Sequence, residues 1–370
     1  MRLAIAHDYL TQRGGAEKVV LALAKAFPDA PIYTTLFDAD GTYPEFSSMD
    51  IRPSFLNRVG PLRRNHRAAL LALPPAARSV KIDADVVIAS SSGWSHGFQT
   101  TGRKIVYCYS PARWLYQTDA YLGDGAGLAK RVTLALMAPS LRRWDRRAAA
   151  QCDQYLAISR AVAGRINDVY GLEAAVLPAP VTLTALPDSA MESVREIEPL
   201  VREGDSFYLC VSRLLAYKNV DKVLDAFAGS GRKLVVVGRG PERDALVAKN
   251  LPNVTFLQDL SDAQMSWLYR HCRAVVAASL EDYGLTPLEG AIYGKPCAVL
   301  RWGGFLDTVV EGVTGVYFDN PDPRSIAQAV SSLEEIEWDP RVIANHTSQF
   351  SEEMFSSQMR HHVDKLVQYA

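Results

Sequence analysis

The sequence lacks any run of apolar residues that approaches the ~18 a membrane-spanning helix needs. Its opening eight residues, Met-Arg-Leu-Ala-Ile-Ala-His-Asp, contain an apolar stretch that is too short for a signal peptide and predicts a buried first strand. Hydrophobic residues make up 48% of the chain and charged residues 22%, which is typical of globular proteins. These features favour a soluble globular protein over one that spans a membrane.

Cysteine is scarce as well, with five residues in 370 and no Cys-x-x-Cys pair. At least three of the five lie in apolar, strand-like runs. We therefore expect reduced, structural thiols in a cytosolic protein, with no disulfide framework and no zinc knuckle.

Two Asp-Ala-Asp triplets occur, at 38–40 and 83–85. The first lies in a polar loop and the second just before a strand, and we interpret both as turn or strand-edge acids. Neither a metal nor a cofactor is expected.

The length and the pattern of the chain predict two α/β domains. A chain of 370 residues is too long for a typical single core. Short apolar strands alternate with amphipathic helices throughout, as in parallel α/β domains. The predicted strands are 3–6, 86–89, 105–109, 154–158, 207–211, 233–237, 253–256, 274–278 and 297–300. Helices are predicted over 16–27, 219–228 and 261–270, the last of which opens with a Ser-x-x-Gln capping box.

A shift in composition marks the boundary between the domains. The chain around 181–205 is rich in proline and acidic residues and has weak periodicity, so we predict a linker there. The first domain is then 1–180 and the second is 206–350. A final helix over 351–370 is expected to pack back toward the first domain.

Positive charge is concentrated in the first half of the chain. Residues 1–180 contain 22 Lys and Arg against 15 Asp and Glu, whereas the remainder contains 18 against 26. Residues 52–81 carry seven basic residues, no acidic one and several apolar side chains, and 128–147 has a similar composition. Such basic amphipathic segments predict peripheral contact with an anionic membrane and no nucleic-acid partner. A solvated helix face, or a lid that binds an anionic acceptor, is the alternative.

Loops that follow predicted strands carry glycine or basic residues. Gly14 and Gly15 separate the first strand from its helix, where the backbone can approach a ligand closely and the helix start favours a phosphate. Arg213 and Lys218 follow the first strand of the second half, and ligands in open α/β sheets bind at such strand ends. Both cations suit a diphosphate. Gly238 follows the next strand, although a plain tight turn explains its Gly-x-Gly sequence equally well.

The most informative segment is Glu281-Asp-Tyr-Gly-Leu-Thr-Pro-Leu-Glu289, in which two carboxylates bracket a glycine turn. Thr286 is predicted to cap a following helix, with Pro287 in its first turn and Glu289 as the capping-box glutamate. The backbone amides after Gly284 would then be available to an anion. Because capping does not explain Glu281, the segment predicts a nucleotide-sugar site.

Several of these motifs occur together in a fixed order. They are Arg213 and Lys218, Gly238-x-Gly240-Pro, Glu281-x7-Glu289, Gly303-Gly304 with Asp307, and Gly312-Val-Thr-Gly315. In this order they resemble the family-4 retaining glycosyltransferases of GT-B fold. The resemblance covers essentially the whole chain and is densest in 207–320. The segments His7-Asp8-Tyr9 and Gly14-Gly15-Ala16-Glu17 look most similar to bacterial mannosyltransferases of polysaccharide or glycolipid assembly.

The resemblance implies two Rossmann-like parallel-sheet domains that face each other across a cleft. It implies a donor-binding set of Gly14, Gly15, Arg213, Lys218, Gly238, Tyr283, Gly284, Leu285 and Glu289. In that set Arg213 and Lys218 bind the diphosphate and Glu289 the ribose hydroxyls. The implied catalytic set is His96, Glu281, Arg213 and Lys218. Glu281 would hold the transferred sugar and His96 would contact it, although a structural loop histidine is the alternative for His96.

The resemblance also implies a mechanism without a protein nucleophile. Retaining enzymes of this class form the new bond on the face from which the leaving group departs, and the diphosphate accepts the proton. Neutralising that leaving group is then the main catalytic contribution. Two departures affect the acceptor and sugar pockets. Tyr109 stands where relatives often carry histidine, and Asp307 stands where many carry glutamate.

The predicted function is transfer of a hexose, mannose from GDP-mannose, to a lipid-linked or polysaccharide acceptor. The enzyme would be cytoplasmic and act at the inner face of the cell membrane. A UDP-sugar-dependent enzyme of the same fold is one alternative. A non-catalytic nucleotide- or glycan-binding module is another, against which the retention of the charged residues argues. A dinucleotide-binding dehydrogenase fits poorly, because the third glycine of its fingerprint is missing after the first strand.

Overall fold

The computed structural model describes residues 1–64, 69, 72–117, 128–204 and 206–368, with the side chains of Arg64 and of 128–134 left out. The chain divides into two compact units. The first comprises Met1–Pro180 together with the chain from Glu352 onward, and the second comprises Val181–Ser351. Both units contain a parallel sheet, as the alternation of strands and helices predicts.

The described residues of the first unit form a seven-stranded parallel sheet and a separate pair of short strands. The strands along the chain are β1 (Leu3–His7), β2 (Ile32–Thr34), β3 (Ile51–Pro53), β4 (Lys81–Ile82), β5 (Val86–Ser91), β6 (Gln99–Thr100), β7 (Arg103–Cys108), β8 (Gln154–Ala157) and β9 (Ala174–Val176). Their order in the sheet is β3-β2-β1-β5-β7-β8-β9, and β4 pairs with β6. The central strand β5 is buried along its whole length, which its apolar sequence requires.

Helices connect the strands of the first unit. They are α1 (Gly15–Ala26), α2 (Gly60–Arg64), α3 (Leu73–Ser79), α4 (Arg113–Tyr116), α5 (Leu128–Ala149) and α6 (Arg160–Tyr170). In α1 the valine, leucine and alanine side chains recur at helical spacing on the buried face. Helix α6 ends at Gly171, which takes the left-handed conformation of a helix C-cap.

The second unit is built on a six-stranded parallel sheet of described residues. Its strands are β10 (Phe207–Val211), β11 (Lys233–Val237), β12 (Val254–Leu257), β13 (Ala274–Ala277), β14 (Cys297–Leu300) and β15 (Gly315–Phe318). Their order is β12-β11-β10-β13-β14-β15, so the direction of chain progression reverses between β10 and β13. Such a reversal leaves a crevice at the carboxyl ends of the two strands.

Helices also flank the sheet of the second unit. They are α7 (Glu198–Arg202), α8 (Val220–Phe227), α9 (Arg243–Val247), α10 (Asp262–His271), α11 (Leu285–Ile292), α12 (Phe305–Thr308), α13 (Pro323–Glu335) and α14 (Pro340–His346). Helix α8 buries Val220, Val223, Leu224 and Phe227 on one face, as its spacing predicts. The predicted capping box at the start of α10 is present, because Ser261 and Gln264 each bond to the other's backbone.

The last helix, α15 (Glu352–Gln368), belongs to the first unit. Phe355 is buried and meets the ring of Tyr107 edge-on, with 5.5 Å between the ring centroids. Arg360 donates a hydrogen bond to the carbonyl of Ala26 at the end of α1. The helix therefore completes the core of the first unit, although it follows the second unit in the sequence.

The segment 181–204 differs from the predicted linker, since it packs on the second unit. Val194 and Ile197 are buried in that unit's core, and Val181 donates a backbone hydrogen bond to Phe350. Because prolines and acidic residues surround Val194 and Ile197, the sequence pattern does not indicate that these two side chains are buried. Residue 205, which ends the predicted linker, lies outside the described residues.

Several strands were not predicted, and most of them are short or lie at an edge. Strands β2, β3 and β9 have three residues each, too few to show an alternating pattern. Strand β15 has four residues and begins at Gly315, inside a glycine motif that reads as a turn. The long apolar strands, by contrast, lie within a residue or two of their predicted bounds.

Candidate functional site

A cavity of about 470 Å³ lies in the second unit at the carboxyl ends of β10, β11 and β13, where the strand order reverses. This volume is within the usual range for small-molecule sites. Its lining residues come from the last residues of these strands, from the loops that follow them and from helices α11 and α12. They are Cys210, Val211, Ser212, Arg213, Lys218, Val237, Gly238, Arg239, Ala277, Ala278, Ser279, Glu281, Gly284, Thr286 and Phe305. Five of the predicted site residues are therefore brought together here.

The loop after β10 supplies both predicted cations. Leu214 is fully buried and anchors the loop, while Tyr217 contacts both charged side chains. A terminal nitrogen of Arg213 lies 3.2 Å from the Tyr217 hydroxyl, and Lys218 Nζ lies 5.0 Å from the centre of the Tyr217 ring. The aromatic face attracts the ammonium group, and the hydroxyl holds the guanidinium by a hydrogen bond. Tyr217 thus orients Arg213 and Lys218, two of the cations that line the cavity.

Lys218 forms an ion pair with Glu281, which joins the loop after β10 to the loop after β13. The side chain of Lys218 is only 7% exposed and that of Glu281 is 30% exposed. A charge with so little access to water is costly unless an opposite charge accompanies it. The sequence places these two residues in the site but assigns them to different parts of the ligand. Their direct contact was not predicted.

Glycines allow the loops around the cavity to pack closely against their neighbours. A Cβ atom at Gly238 would overlap the carbonyl oxygen of Ser212, so the loops after β10 and β11 pack backbone against backbone. Gly284 has φ of 86°, a left-handed conformation that other residues rarely adopt, and a Cβ there would overlap the ring of Phe305. Both positions therefore require glycine for the shape of the cavity.

The start of helix α11 differs from its predicted capping arrangement. The helix begins at Leu285 and its N-cap is Gly284, which makes no side-chain hydrogen bond to the first turn. Thr286 therefore lies inside the helix, and the prediction that it caps the helix and that Glu289 completes a capping box is wrong. The left-handed turn at Gly284 starts the helix two residues early. The first backbone amides of α11 have no partner within the helix and begin at the wall of the cavity.

Glu289 is held by a different residue. Its Oε2 accepts a hydrogen bond of 2.6 Å from the hydroxyl of Tyr269 in helix α10. Tyr269 is buried, and burial together with the charge of Glu289 raises the pKa of its phenol well above the ordinary value. The phenol is therefore a permanent donor to the carboxylate. Sequence reasoning had no signal for this contact, because the two residues lie on separate helices.

Arg239 and Phe305 are among the residues of the cavity that were not predicted. Arg239 follows Gly238 and forms an ion pair with Asp259, at the ends of β11 and β12. Phe305 opens helix α12, and its buried ring packs on the turn at Gly284. The Gly-Arg-Gly sequence directly after a strand could have indicated Arg239 as a site residue. The glycine pair before Phe305 indicated that two segments of backbone pass close to each other, but it did not indicate that the Phe305 ring lines the cavity.

His96 lies in the first unit and is 3% exposed. Its Nδ1 is 3.3 Å from the Ser91 hydroxyl, and its Nε2 is 3.1 Å from Oδ1 of the fully buried Asp145, a close but poorly aligned contact. The other oxygen of Asp145 accepts hydrogen bonds of 2.8 Å from Tyr116 and Tyr170. These contacts favour the structural alternative for His96, and its catalytic role stays a prediction.

Gly14 and Gly15 lie at the start of α1, above a buried carboxylate. Gly14 is the N-cap residue and is extended, and a Cβ there would lie 2.6 Å from Oε2 of Glu17. Glu17 is 1% exposed, and its Oε1 accepts a hydrogen bond from Gln12. Tyr109 donates a hydrogen bond to the carbonyl of Ala16. The helix start thus already has a carboxyl group beside it, and the donor-binding role of the glycines stays a prediction.

The acidic triplet at 83–85 is a strand-edge feature. The guanidinium of Arg2 donates to both oxygens of Asp83, and the backbone amide of Arg2 donates to Asp85. Among the residues that the structure describes, no three His, Cys, Asp or Glu side chains are grouped as metal ligands. Within the same residues, no helix has the length and apolar character needed to cross a bilayer.

Two protein-family models match the chain in succession. The model described as Glycosyltransferase Family 4 matches residues 13–184, and the model described as Glycosyl transferases group 1 matches residues 195–352. Each model corresponds closely to one of the two parallel-sheet units. Together the two matches account for most of the chain.

Curated relatives match over part of their length. The chain is 30% identical over 165 residues to an α-1,3/1,6-mannosyltransferase of Dictyostelium discoideum, which is 37% of this chain and 39% of that protein. It is 30% identical over 178 residues to O-antigen chain mannosyltransferase C of Escherichia coli, 44% and 46% of the two chains. A D-rhamnosyltransferase of Pseudomonas aeruginosa is 31% identical over 172 residues, 44% and 42% of the two chains. Each match spans less than half of the relative.

Solved structures match the whole fold. Sucrose-phosphate synthase from Thermosynechococcus elongatus superimposes with a TM-score of 0.73 at 15% identity, with all of both chains covered. The Anabaena protein HepE in complex with UDP-glucose gives a TM-score of 0.68 at 15% identity, with 99% of this chain and 100% of that chain covered. The predicted GT-B fold is therefore confirmed.

The close approach at Gly238 leads to a test of the cavity's construction. Gly238→Ala should destabilise the second unit by about 1–3 kcal/mol, because the added methyl group overlaps backbone that cannot move aside as a side chain would. Thermal unfolding measures the effect. Gly164→Ala is the control, since a Cβ there meets open space and the change should stabilise helix α6 by up to ~1 kcal/mol. Equal stability of the two variants would contradict the backbone contact.

Proposed function

We propose that this chain, which belongs to the family-4 glycosyltransferases of GT-B fold, transfers a hexose from a nucleotide sugar to a lipid-linked or polysaccharide acceptor with retention of anomeric configuration. One observation carries the proposal. Arg213, Lys218, Glu281 and the start of helix α11 converge on a single cavity at the strand-order reversal of the second sheet. Cations and helix amides suit a diphosphate, and a carboxylate suits sugar hydroxyls.

Different residues around the cavity are assigned to the diphosphate, the sugar and the ribose of the donor. Arg213 and the first amides of α11 bind the diphosphate, and the loops with Gly238 and Gly284 let the phosphates approach the backbone. Lys218 adds positive charge beside Glu281, which hydrogen-bonds the transferred sugar with Tyr283 and Leu285 around it. Glu289 lies one turn along α11 and binds the ribose. This assignment keeps the roles that the resemblance implies for Arg213, Glu281 and Glu289, and it adds the helix amides to the diphosphate site.

The reaction follows from these charges. The bond between the anomeric carbon and the diphosphate oxygen breaks, and the bond to the acceptor oxygen forms on the same face of the sugar. The acceptor's proton passes to the departing diphosphate. Arg213, Lys218 and the helix amides stabilise the charge that develops on that leaving group. Glu281 is engaged by Lys218 and serves as an orienting group instead of a nucleophile.

Mannose carried by GDP is the favoured donor. Two of the relatives are mannosyltransferases, and the third transfers D-rhamnose, which is a 6-deoxy form of the same sugar configuration. A UDP-sugar is the second candidate, because the structurally similar HepE binds UDP-glucose. The two candidates differ in the base, which a binding experiment distinguishes directly.

A thermal-shift comparison of GDP, UDP and ADP, each with its sugar conjugates, tests the donor. We expect GDP and GDP-mannose to raise the melting temperature most. Arg213→Ala should weaken GDP binding roughly 10- to 100-fold, the effect of losing charge-assisted hydrogen bonds worth about 1.5–3 kcal/mol. Arg202→Ala, at an exposed arginine outside the cavity, is the control and should bind normally. A shift with UDP alone would overturn the choice of GDP, and no shift with any nucleotide would overturn the site.

Contact with an anionic membrane is proposed for the basic part of the first unit. Phe55 and Val59 are 57% and 44% exposed, and exposed Arg52 and Arg58 lie beside them in the sequence. Apolar side chains flanked by cations suit the interface of an anionic bilayer. Residues 65–68, 70 and 71 of the predicted segment lie outside the described residues, as do the side chains of 128–134 in the second segment.

Co-sedimentation with vesicles tests this contact. The chain should bind vesicles containing phosphatidylserine at low salt and release them as salt screens the charges. The double variant Phe55→Ser, Val59→Ser should bind several-fold more weakly, because it removes the exposed apolar contacts. Val247→Ser, at an exposed valine of the second unit, is the control and should bind like the wild type. No binding to anionic vesicles at low salt would refute the proposal.

A further inference from the structure

The carboxylate of Glu289 accepts a hydrogen bond from the hydroxyl of the buried Tyr269. Its Oε2 accepts from the Tyr269 hydroxyl at 2.6 Å, a length typical of a hydroxyl that donates to a carboxylate. Glu289 itself makes no cap for helix α11, since Gly284 occupies the N-cap position. The bond therefore links α10 to α11 at the carboxylate that the proposed function assigns to the ribose.

Tyr269 is fixed in place on several sides. It is 1% exposed, and its ring lies parallel to that of Tyr293, with centroids 6.3 Å apart and planes at 5°. A Cβ on Gly290 would contact the Tyr269 ring at 3.8 Å, so the ring also packs against the backbone of α11. Tyr293 is held in turn, because its hydroxyl accepts a hydrogen bond from the Leu186 amide. The phenol is thus a rigid donor.

A rigid donor orients a flexible acceptor. A glutamate side chain has several rotatable bonds, and fixing them costs entropy when a ligand binds. The phenol engages Oε2 and leaves the lone pairs of Oε1 for a ligand. Orientation before binding reduces the cost of binding, and it matters most for two neighbouring hydroxyls that must meet one carboxylate.

We propose that Tyr269 is a positioning residue that sets the selectivity of the donor site for ribose, by orienting Glu289 toward the 2′- and 3′-hydroxyls of the nucleotide. This inference rests on the proposed function. Tyr269 does not touch the nucleotide and acts through Glu289. Its loss should therefore reduce discrimination between nucleotides with and without ribose hydroxyls, while the affinity for the diphosphate itself stays the same.

The test compares GDP with 2′,3′-dideoxy-GDP by titration calorimetry on the full chain, with UDP and its dideoxy form as a second pair. The wild type should prefer GDP, and Glu289→Gln should reduce the ratio of the two dissociation constants to near one. Tyr269→Phe removes only the hydroxyl, and it should reduce the ratio roughly tenfold, because the Glu289 side chain must then be ordered as the ribose binds. Affinity for the dideoxy nucleotide should remain as in the wild type. The ratio is measured on one preparation, so partial unfolding does not change it.

Tyr208→Phe is a matched control. Tyr208 is also buried in the second unit and donates to a carboxylate, that of Glu334, at 2.5 Å. Its partner Glu334 lies in helix α13, whereas Glu289 lies in α11. The control should keep the wild-type ratio.

Three results would overturn the inference. If Tyr269→Phe kept the wild-type ratio while Glu289→Gln lost it, Tyr269 would be structural only. If Tyr208→Phe lowered the ratio as much, the effect would not be specific to Glu289. If Glu289→Gln itself kept the ratio, the assignment of the ribose to Glu289 would fail, and the inference would fail with it. That last result is distinguishable from failure of donor binding as a whole, because GDP would still bind.

Discussion

An ion pair between Lys218 and Glu281 joins the two loops at the point where the second sheet reverses its strand order. The lysine has almost no access to water, so its charge is tolerable only because the carboxylate lies beside it. The pair thereby fixes the position of both loops relative to the strands. The shape of the cavity and the placement of Lys218 and Glu281 in it depend on that fixed position.

Backbone geometry complements the ion pair. At Gly238 and Gly284 the chain passes so close to neighbouring atoms that a side chain would not fit, and at Gly284 it also turns into the left-handed conformation that begins helix α11. The result is a wall made of peptide groups and helix amides. Peptide amides of this kind suit a phosphate group, as the proposed function requires.

Much of the second unit could be predicted from the sequence. Most of its apolar strands are long enough to be predicted as strands from their sequence. The loops after them carry glycine and charged residues in an order that resembles one family. The contacts between loops could not be predicted in the same way. The sequence predicted Lys218 and Glu281 as site residues, yet their pairing depends on which strands are neighbours in the sheet. The contact from Tyr269 to Glu289 likewise depends on how two helices pack.

Predictions from local sequence patterns were wrong where packing against distant parts of the chain decided the structure. The sequence from Thr286 to Glu289 satisfies a capping box, but a left-handed turn at Gly284 starts the helix earlier and places Thr286 inside it. The apparent linker contains two apolar side chains, Val194 and Ile197, that the second core buries. In both cases the residues were suited to more than one structure, and packing against distant parts of the chain decided between them.

The central claim is that Lys218 and Glu281 act as one unit in the donor site. A double-mutant cycle of Lys218→Met, Glu281→Gln and the combined variant, measured by calorimetric titration with GDP-mannose, tests it most directly. We predict a coupling energy of at least ~1 kcal/mol, because each residue alone leaves a partly buried charge or polar group without its partner. Effects of the two substitutions that add to within about 0.3–0.5 kcal/mol would contradict the account.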